Sequence, residues 1–195
     1  MADLLLVSGS PRRRELLDMV GVDFTVHNAD IEEVRGAGED PEAYALRLSR
    51  EKALAGLATL GERVPALGAD TIVLLQGEVL EKPRDRAHAR AMLGQLSGAT
   101  HEVISAVTVA RDTNTLRSAV NRTRVTMGVM GSAWIEAYSE TDEPMDKAGA
   151  YAIQGVAGQW VAHIDGSYSG VMGLPLFETA ELLRWAGVPL SGLPA

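Results

Sequence analysis

Leu4-Leu5-Leu6-Val7-Ser8-Gly9-Ser10-Pro11-Arg12-Arg13-Arg14-Glu15-Leu16-Leu17 is the stretch on which the fold turns. A short apolar strand, Leu4 to Val7, runs straight into a helix. Ser10 stands at the N-cap and Pro11 at the first helical position. Strand followed by helix opens a βα unit. Three arginines then fill the first turn, the wrong sign for a helix N-terminus, where the macrodipole favours anions. A bound polyanion removes the conflict. Helix N–H groups, the Ser8 and Ser10 hydroxyls and the Arg12 and Arg13 guanidiniums then converge on phosphate or carboxylate. The bland alternative is a solvated basic turn, or arginines paired with Glu32, Glu33 or other acids. The stretch is neither a P-loop, since no G-x-x-x-x-G-K-[ST] occurs, nor a dinucleotide fingerprint.

Outward from this unit, Asp23 to Asn28 alternates as a strand and Ala29 to Asp40 is an acidic loop with two glycines. Pro41 starts a long helix to about Leu60, with Ala43, Leu46, Ala53, Leu54, Leu57 and Leu60 on one face. Pro65 to Leu75 is a buried strand. Gln76-Gly77 turns the chain, and Glu78 to Glu81 returns as a hairpin. Asp85 caps a helix to about Leu96. His101 to Ala110 and Thr115 to Met127 are two long antiparallel strands joined near Asp112-Thr113-Asn114. Ser132 caps a short helix, Asp142 to Gln154 is mixed and polar, and Gln159 to Ile164 is a strand. Asp165-Gly166-Ser167 is a turn, Pro175 to Trp185 the final helix, and Pro189 to Ala195 a frayed tail. Mixed βα units and antiparallel strands predict a mixed, twisted α/β sheet with flanking helices, bent into two lobes around a cleft. Residues 1–188 are expected as a single two-lobed domain and 189–195 as its tail.

The 195 residues carry a net charge of −8, 46% hydrophobic and 23% charged residues, and no cysteine. Disulfides, thiolate metal sites and cysteine nucleophiles are excluded, and a reducing cytoplasm is the expected compartment. The acidic balance argues against nucleic-acid binding. No apolar run approaches the length of a membrane span, and Asp3 stands where a signal peptide would carry basic residues.

Asp70 interrupts the apolar run Pro65 to Leu75. A carboxylate in a buried strand is costly unless it is paired, hydrogen-bonded or metal-bound. It is either satisfied by backbone N–H groups at a bulge, or it is a metal ligand or a base for water. Lys52 in mid-helix reads first as part of a solvated helix face, and Lys82, in the extended backbone that Pro83 forces, as structural; the second reading of each is a point-charge contact to phosphate. Glu32 and Glu33 are solvated loop acids or oxygen ligands for Mg²⁺, which takes one or two carboxylates plus phosphate oxygens. In Asp146 to Gly155, Gln154 has the amide to read a base edge, against a plain tight turn with Tyr151 in the core. The histidines at 27, 88, 101 and 163 have no metal-ligand spacing, and the three tryptophans fit packing.

Taken together, several separated blocks resemble the Maf family, also called septum-formation-inhibitor proteins. They are Ser8-Gly-Ser-Pro-Arg-Arg13 with Glu15-Leu-Leu17, Arg47-Leu-Ser-Arg-Glu-Lys52-Ala53, Leu67-Gly-Ala-Asp70-Thr71, Glu78-Val-Leu-Glu-Lys82-Pro83, Leu96-Ser-Gly98, Asp142 to Tyr151, Ile153-Gln154-Gly155 and Gly173-Leu-Pro175. The likeness runs from about residue 3 to 186. It implies a nucleoside triphosphate pyrophosphatase, a hydrolase that leaves the monophosphate and uses a divalent cation. It also implies a fold similar to that of inosine triphosphate pyrophosphatases and a homodimer. Ala69-Asp70-Thr71, where the 7-methyl-GTP branch typically has Ser-Asp-Gln, resembles the branch acting on dTTP and UTP, possible substrates alongside modified pyrimidine nucleotides. By this likeness Arg12, Arg13, Lys52 and Lys82 hold the triphosphate, and Ser8 and Ser10 join the phosphate contacts. Glu33 and Asp70 bind Mg²⁺ or Mn²⁺, and Asp70 orients the attacking water. Arg12, Thr71 and Gln154 set base preference, while Arg14 is expected to be solvated. The competing reading is a non-catalytic nucleotide-binding regulator of cell division.

Overall fold

The computed structural model describes residues 2–60 and 64–190. Its elements run β1 (Leu4–Val7), α1 (Pro11–Met19), β2 (Phe24–His27), α2 (Pro41–Leu60), β3 (Ala66–Leu75), β4 (Glu78–Leu80), α3 (Arg86–Leu96), β5 (Thr100–Ala110), β6 (Leu116–Met127), α4 (Ser132–Ser139), β7 (Val161–Asp165), α5 (Tyr168–Met172) and α6 (Leu176–Ala186). The strands form one mixed seven-stranded sheet in the order β2-β1-β3-β5-β6-β7, with β4 paired to β3. By contact the chain divides into two compact units. One comprises Met1–Asp70, Ser105–Asn121 and Gly173–Ala195; the other comprises Thr71–Ile104 and Arg122–Met172. Of the expected tail, residues 191–195 lie outside the described residues. No helix among the described residues is long and apolar enough to cross a membrane.

In the first unit β1 pairs in parallel with β2 (Leu4↔Phe24) and with β3 (Leu5↔Ala66). All four β1 residues are buried, as a parallel strand covered on both faces requires. α2 lies against β1. Its buried stripe is Tyr44, Ala45, Leu48, Ser49, Lys52, Ala53, Gly56 and Leu57; of the expected face, Ala53 and Leu57 belong to it, Ala43 is exposed, Leu46 and Leu54 are half-buried, and the Leu60 side chain lies outside those described. Small residues explain which face is buried. A Cβ on Gly68 of β3 would collide with the Ser49 carbonyl and lie 2.6 Å from the Ala53 nitrogen. A Cβ on Gly56 would strike Val7 and reach within 3.1 Å of Leu5. Backbone-to-backbone approach selects the stripe of small residues and carries Lys52 inward with it.

The second unit closes over a core of Val73, Leu80, Met92, Leu93, Leu96, Val125, Met127 and Tyr138 with their neighbours. The β3–β4 hairpin turns at Gln76 (φ 51°) and Gly77 (φ 88°), positive at both central positions as a tight two-residue hairpin demands. Asp85 caps α3 by accepting from the His88 N–H at 2.7 Å. β5 and β6 are sheet neighbours joined by the short connection 111–115, which fits only an antiparallel pair. Asp112 holds that turn by accepting from the Asn114 and Thr115 N–H groups.

Three local expectations change. Gly131, not Ser132, is the N-cap of α4. Gln159 and Trp160 belong to a 3₁₀ turn (Val156–Trp160), so the strand begins at Val161. The short helix α5 follows the Asp165-Gly166-Ser167 turn unannounced, its first turn satisfied by the Ser167 hydroxyl, which accepts from the Gly170 N–H at 3.0 Å.

Candidate active site

Ser10 occupies the N-cap of α1 as expected, but its side chain makes no capping hydrogen bond. Its N–H donates instead to the Ser8 hydroxyl at 3.2 Å. Arg13 Nη1 donates to the same hydroxyl at 3.1 Å, and Arg13 Nε donates to the Gly173 carbonyl at 2.8 Å. The guanidinium is thus fixed from two sides. Burial lowers its pKa from the ordinary value; Asp70 and Glu33 act against that shift and Arg12 adds to it. Arg12 is half-buried and Arg14 exposed, so Arg14 is the solvated member of the three.

Lys52 and Asp70 meet across α2 and β3. Lys52 Nζ donates to Asp70 Oδ1 at 2.7 Å. The same ammonium stands 2.7 Å from Glu33 Oε1. Lys52 is 8% and Asp70 7% exposed. The solvated-helix reading of Lys52 is therefore wrong, and Asp70 is satisfied by a cation rather than only by backbone N–H groups. A buried ion pair survives desolvation only when its partners are well placed, and here one ammonium serves two carboxylates.

The loop bearing Glu33 is anchored by α2. Tyr44 donates its hydroxyl to the Glu33 carbonyl at 3.0 Å. Arg47 grips Glu39 with Nε and Nη2 and donates to the Val34 carbonyl at 2.9 Å. That clamp, with the Gly36 N–H, holds the Glu39 carboxyl down to about 2. Tyr44, Arg47 and Gly173 were not singled out as site residues from sequence. Arg47 and Gly173 lay inside the resembling blocks, and that was their only signal.

Thr71, Lys82 and Gln154 belong to the second unit. Thr71 follows Asp70 on β3 and is half-buried; Lys82 and Gln154 are exposed. The Gly149 N–H donates to the Glu81 carbonyl at 3.3 Å, tying the end of β4 beside Lys82 to the Asp146–Tyr151 turn. Ala150 adopts φ 59° there, a left-handed conformation unfavourable for alanine. Glu143 accepts from the Tyr138 hydroxyl at 2.8 Å and from the Val156 N–H at 3.4 Å, bracketing the segment that carries Gln154. Tyr151 is in the core, as the plain reading had it, and its hydroxyl meets His101 Nε2 at 2.8 Å. Trp134 stacks on Tyr138 and meets Trp160 edge-on, so both pack rather than bind.

A family model for Maf-like proteins matches residues 3–186. The chain belongs to the Maf family. Among its curated relatives, the dTTP/UTP pyrophosphatase of Escherichia coli K12 is 52% identical over 94% of this chain and 92% of its own length. The dTTP/UTP pyrophosphatase of Salmonella typhimurium LT2 is 53% identical over the same shares. A solved HAM1 protein from Coxiella burnetii, only 13% identical, covers 95% of this Maf chain and 98% of its own with a TM-score of 0.50. It shares the fold.

The donor set can be judged on its chemistry. Among the described residues no three His, Cys, Asp or Glu side chains gather as metal ligands. Two carboxylate oxygens nonetheless converge on one cation, the Lys52 ammonium. Mg²⁺ needs no more from protein when phosphates and water complete its octahedron, so Glu33 and Asp70 fit such an ion in this Maf-family site.

Proposed function

We propose that this chain hydrolyses dTTP and UTP to the monophosphate and pyrophosphate. The observation that carries the reading is the Lys52-bridged pair Glu33–Asp70 in the same unit as the fixed guanidinium of Arg13. The relatives of matching length bear that activity in their names. A module that only bound nucleotide would gain nothing from two carboxylates near a polyphosphate, so the regulator reading is not favoured.

Arg13, with Arg12 and the Ser8 and Ser10 hydroxyls, binds phosphate oxygens and offsets their charge. Lys82 adds a point charge. Asp70 orients a water and accepts its proton as the water oxygen bonds to the α-phosphorus. The bond from that phosphorus to the bridging oxygen breaks, and pyrophosphate leaves with the electron pair. Glu33 and Asp70 would hold Mg²⁺ or Mn²⁺, which would supply charge to polarise the phosphoryl oxygens. Thr71 and Gln154 read the pyrimidine edge, with Arg12 contributing to base choice. A homodimer in the cytoplasm, with a two-lobed domain over 1–188, completes the reading; a modified pyrimidine nucleotide is an equal candidate for the physiological substrate.

The test is a panel of triphosphates, including methylated and halogenated pyrimidines, with Mg²⁺ and product chromatography. dTTP and UTP should give monophosphate plus pyrophosphate; their survival would sink the reading. Asp70→Asn should keep nucleotide binding by calorimetry and lose about a hundredfold or more in turnover. Undiminished turnover would remove Asp70 from the mechanism.

A further inference from the structure

Lys52 Nζ lies 2.7 Å from Glu33 Oε1 and 2.7 Å from Asp70 Oδ1. Those two oxygens face one point, and the ammonium fills it. A divalent cation held by the same oxygens at about 2.1 Å would need that point. Two cations cannot share it.

The surrounding charge sharpens the conflict. Arg13 feels both carboxylates and Arg12. Three cations, Arg12, Arg13 and Lys52, therefore stand against two carboxylates, Glu33 and Asp70. A triphosphate would offer the ammonium new acceptors. The two carboxylates differ in setting: Glu33 sits on a loop with its side chain 42% exposed, whereas Asp70 is in a strand with its side chain 9% exposed. Lys52 has a flexible stem that can swing its charge to a phosphate while Asp70 stays put.

We infer that Lys52 occupies the divalent-cation position in the nucleotide-free protein, so that ammonium and metal compete for Glu33 and Asp70 and the metal enters with the triphosphate, not ahead of it. The inference rests on the proposed reading only for its nucleotide half. The competition itself is measurable without turnover.

The experiment is a Mn²⁺ titration of the nucleotide-free full chain, with free Mn²⁺ read by electron paramagnetic resonance. Lys52→Met should bind Mn²⁺ about tenfold tighter or more than the native protein, because a like charge is removed from contact distance. Lys52→Arg, which keeps the charge, should stay as weak as the native chain. Lys52→Gln, which can still donate to Asp70, replaces the Met variant if that one does not fold; each variant is first checked by circular dichroism. Equal or weaker Mn²⁺ binding in the charge-free variant overturns the inference. So does a native protein that already binds Mn²⁺ with micromolar affinity without nucleotide, whatever the variants do. Failure of the substrate panel with the Mn²⁺ result intact would refute the substrate, not the competition.

Discussion

Asp70, 7% exposed and hydrogen-bonded to one ammonium, makes the two members of its pair unequal under mutation. Lys52→Met strands a buried carboxylate, a change that costs about 3–5 kcal/mol in comparable pairs. Asp70→Asn leaves Lys52 with Glu33, so its loss should be clearly smaller; urea denaturation of both variants gives the comparison, and equal losses would contradict it. His101 offers a second test at this scale. Burial depresses its pKa to about 4 from 6.5, and Nδ1 has no hydrogen-bond partner among the described residues. The unfolded chain therefore takes up a proton that the folded chain refuses. Stability from this group is complete above pH 6.5 and is lost as pH falls towards 4, by about 3 kcal/mol at most. His101→Gln should flatten the stability profile in that window. Neither pair was legible beforehand. Lys52 and Asp70 are 18 residues apart, and His101 and Tyr151 are 50 apart; no local period links them, and a lysine in mid-helix looks solvated until the buried stripe is known. Arg12 and Arg13 were legible because the conflict with the helix dipole is written within four residues.

α2 is the element on which the first unit's chemistry depends, since Tyr44, Arg47 and Lys52 all project from it. Its placement is set by backbone contact with β3 at Gly68. Gly68→Ala pushes a methyl into the Ser49 carbonyl and the Ala53 nitrogen, where a flexible side chain cannot yield. The expected loss is about 2 kcal/mol or more, with turnover falling further than stability alone explains, because Lys52 moves with the helix. Denaturation midpoints and kcat measured together decide it; an unchanged kcat would show that helix and site are uncoupled. The start of α1 and both ends of α2 and α3 were legible because caps and prolines mark where they begin. The buried face of α2 was legible only in part, at Ala53 and Leu57. Small residues advertise no hydrophobic stripe, whereas the large apolar Leu46 and Leu54 are only half-buried.

At the scale of the whole molecule, β3, β5 and β6 each carry residues of both units. The border on β3 falls between Asp70 and Thr71, the proposed base and the proposed reader of the pyrimidine. The alternation of βα units with long antiparallel strands made the mixed sheet legible, whereas the border left no mark, since a strand that passes through it keeps one pattern of residues on either side. Shared strands predict that the units unfold together, because neither can lose its sheet hydrogen bonds without cutting a strand of the other. The tryptophans divide conveniently: Trp134 and Trp160 lie in the second unit and Trp185 in the first, where Arg111 and Arg117 pack over its ring. A Trp185→Phe variant then reports on the second unit, and a Trp134→Phe/Trp160→Phe variant on the first. Each fluorescence transition in urea should coincide with its own circular-dichroism transition, and the calorimetric and van't Hoff enthalpies of the native chain should agree. Separate midpoints for fluorescence and circular dichroism would mean that each unit unfolds on its own, and would overturn the prediction.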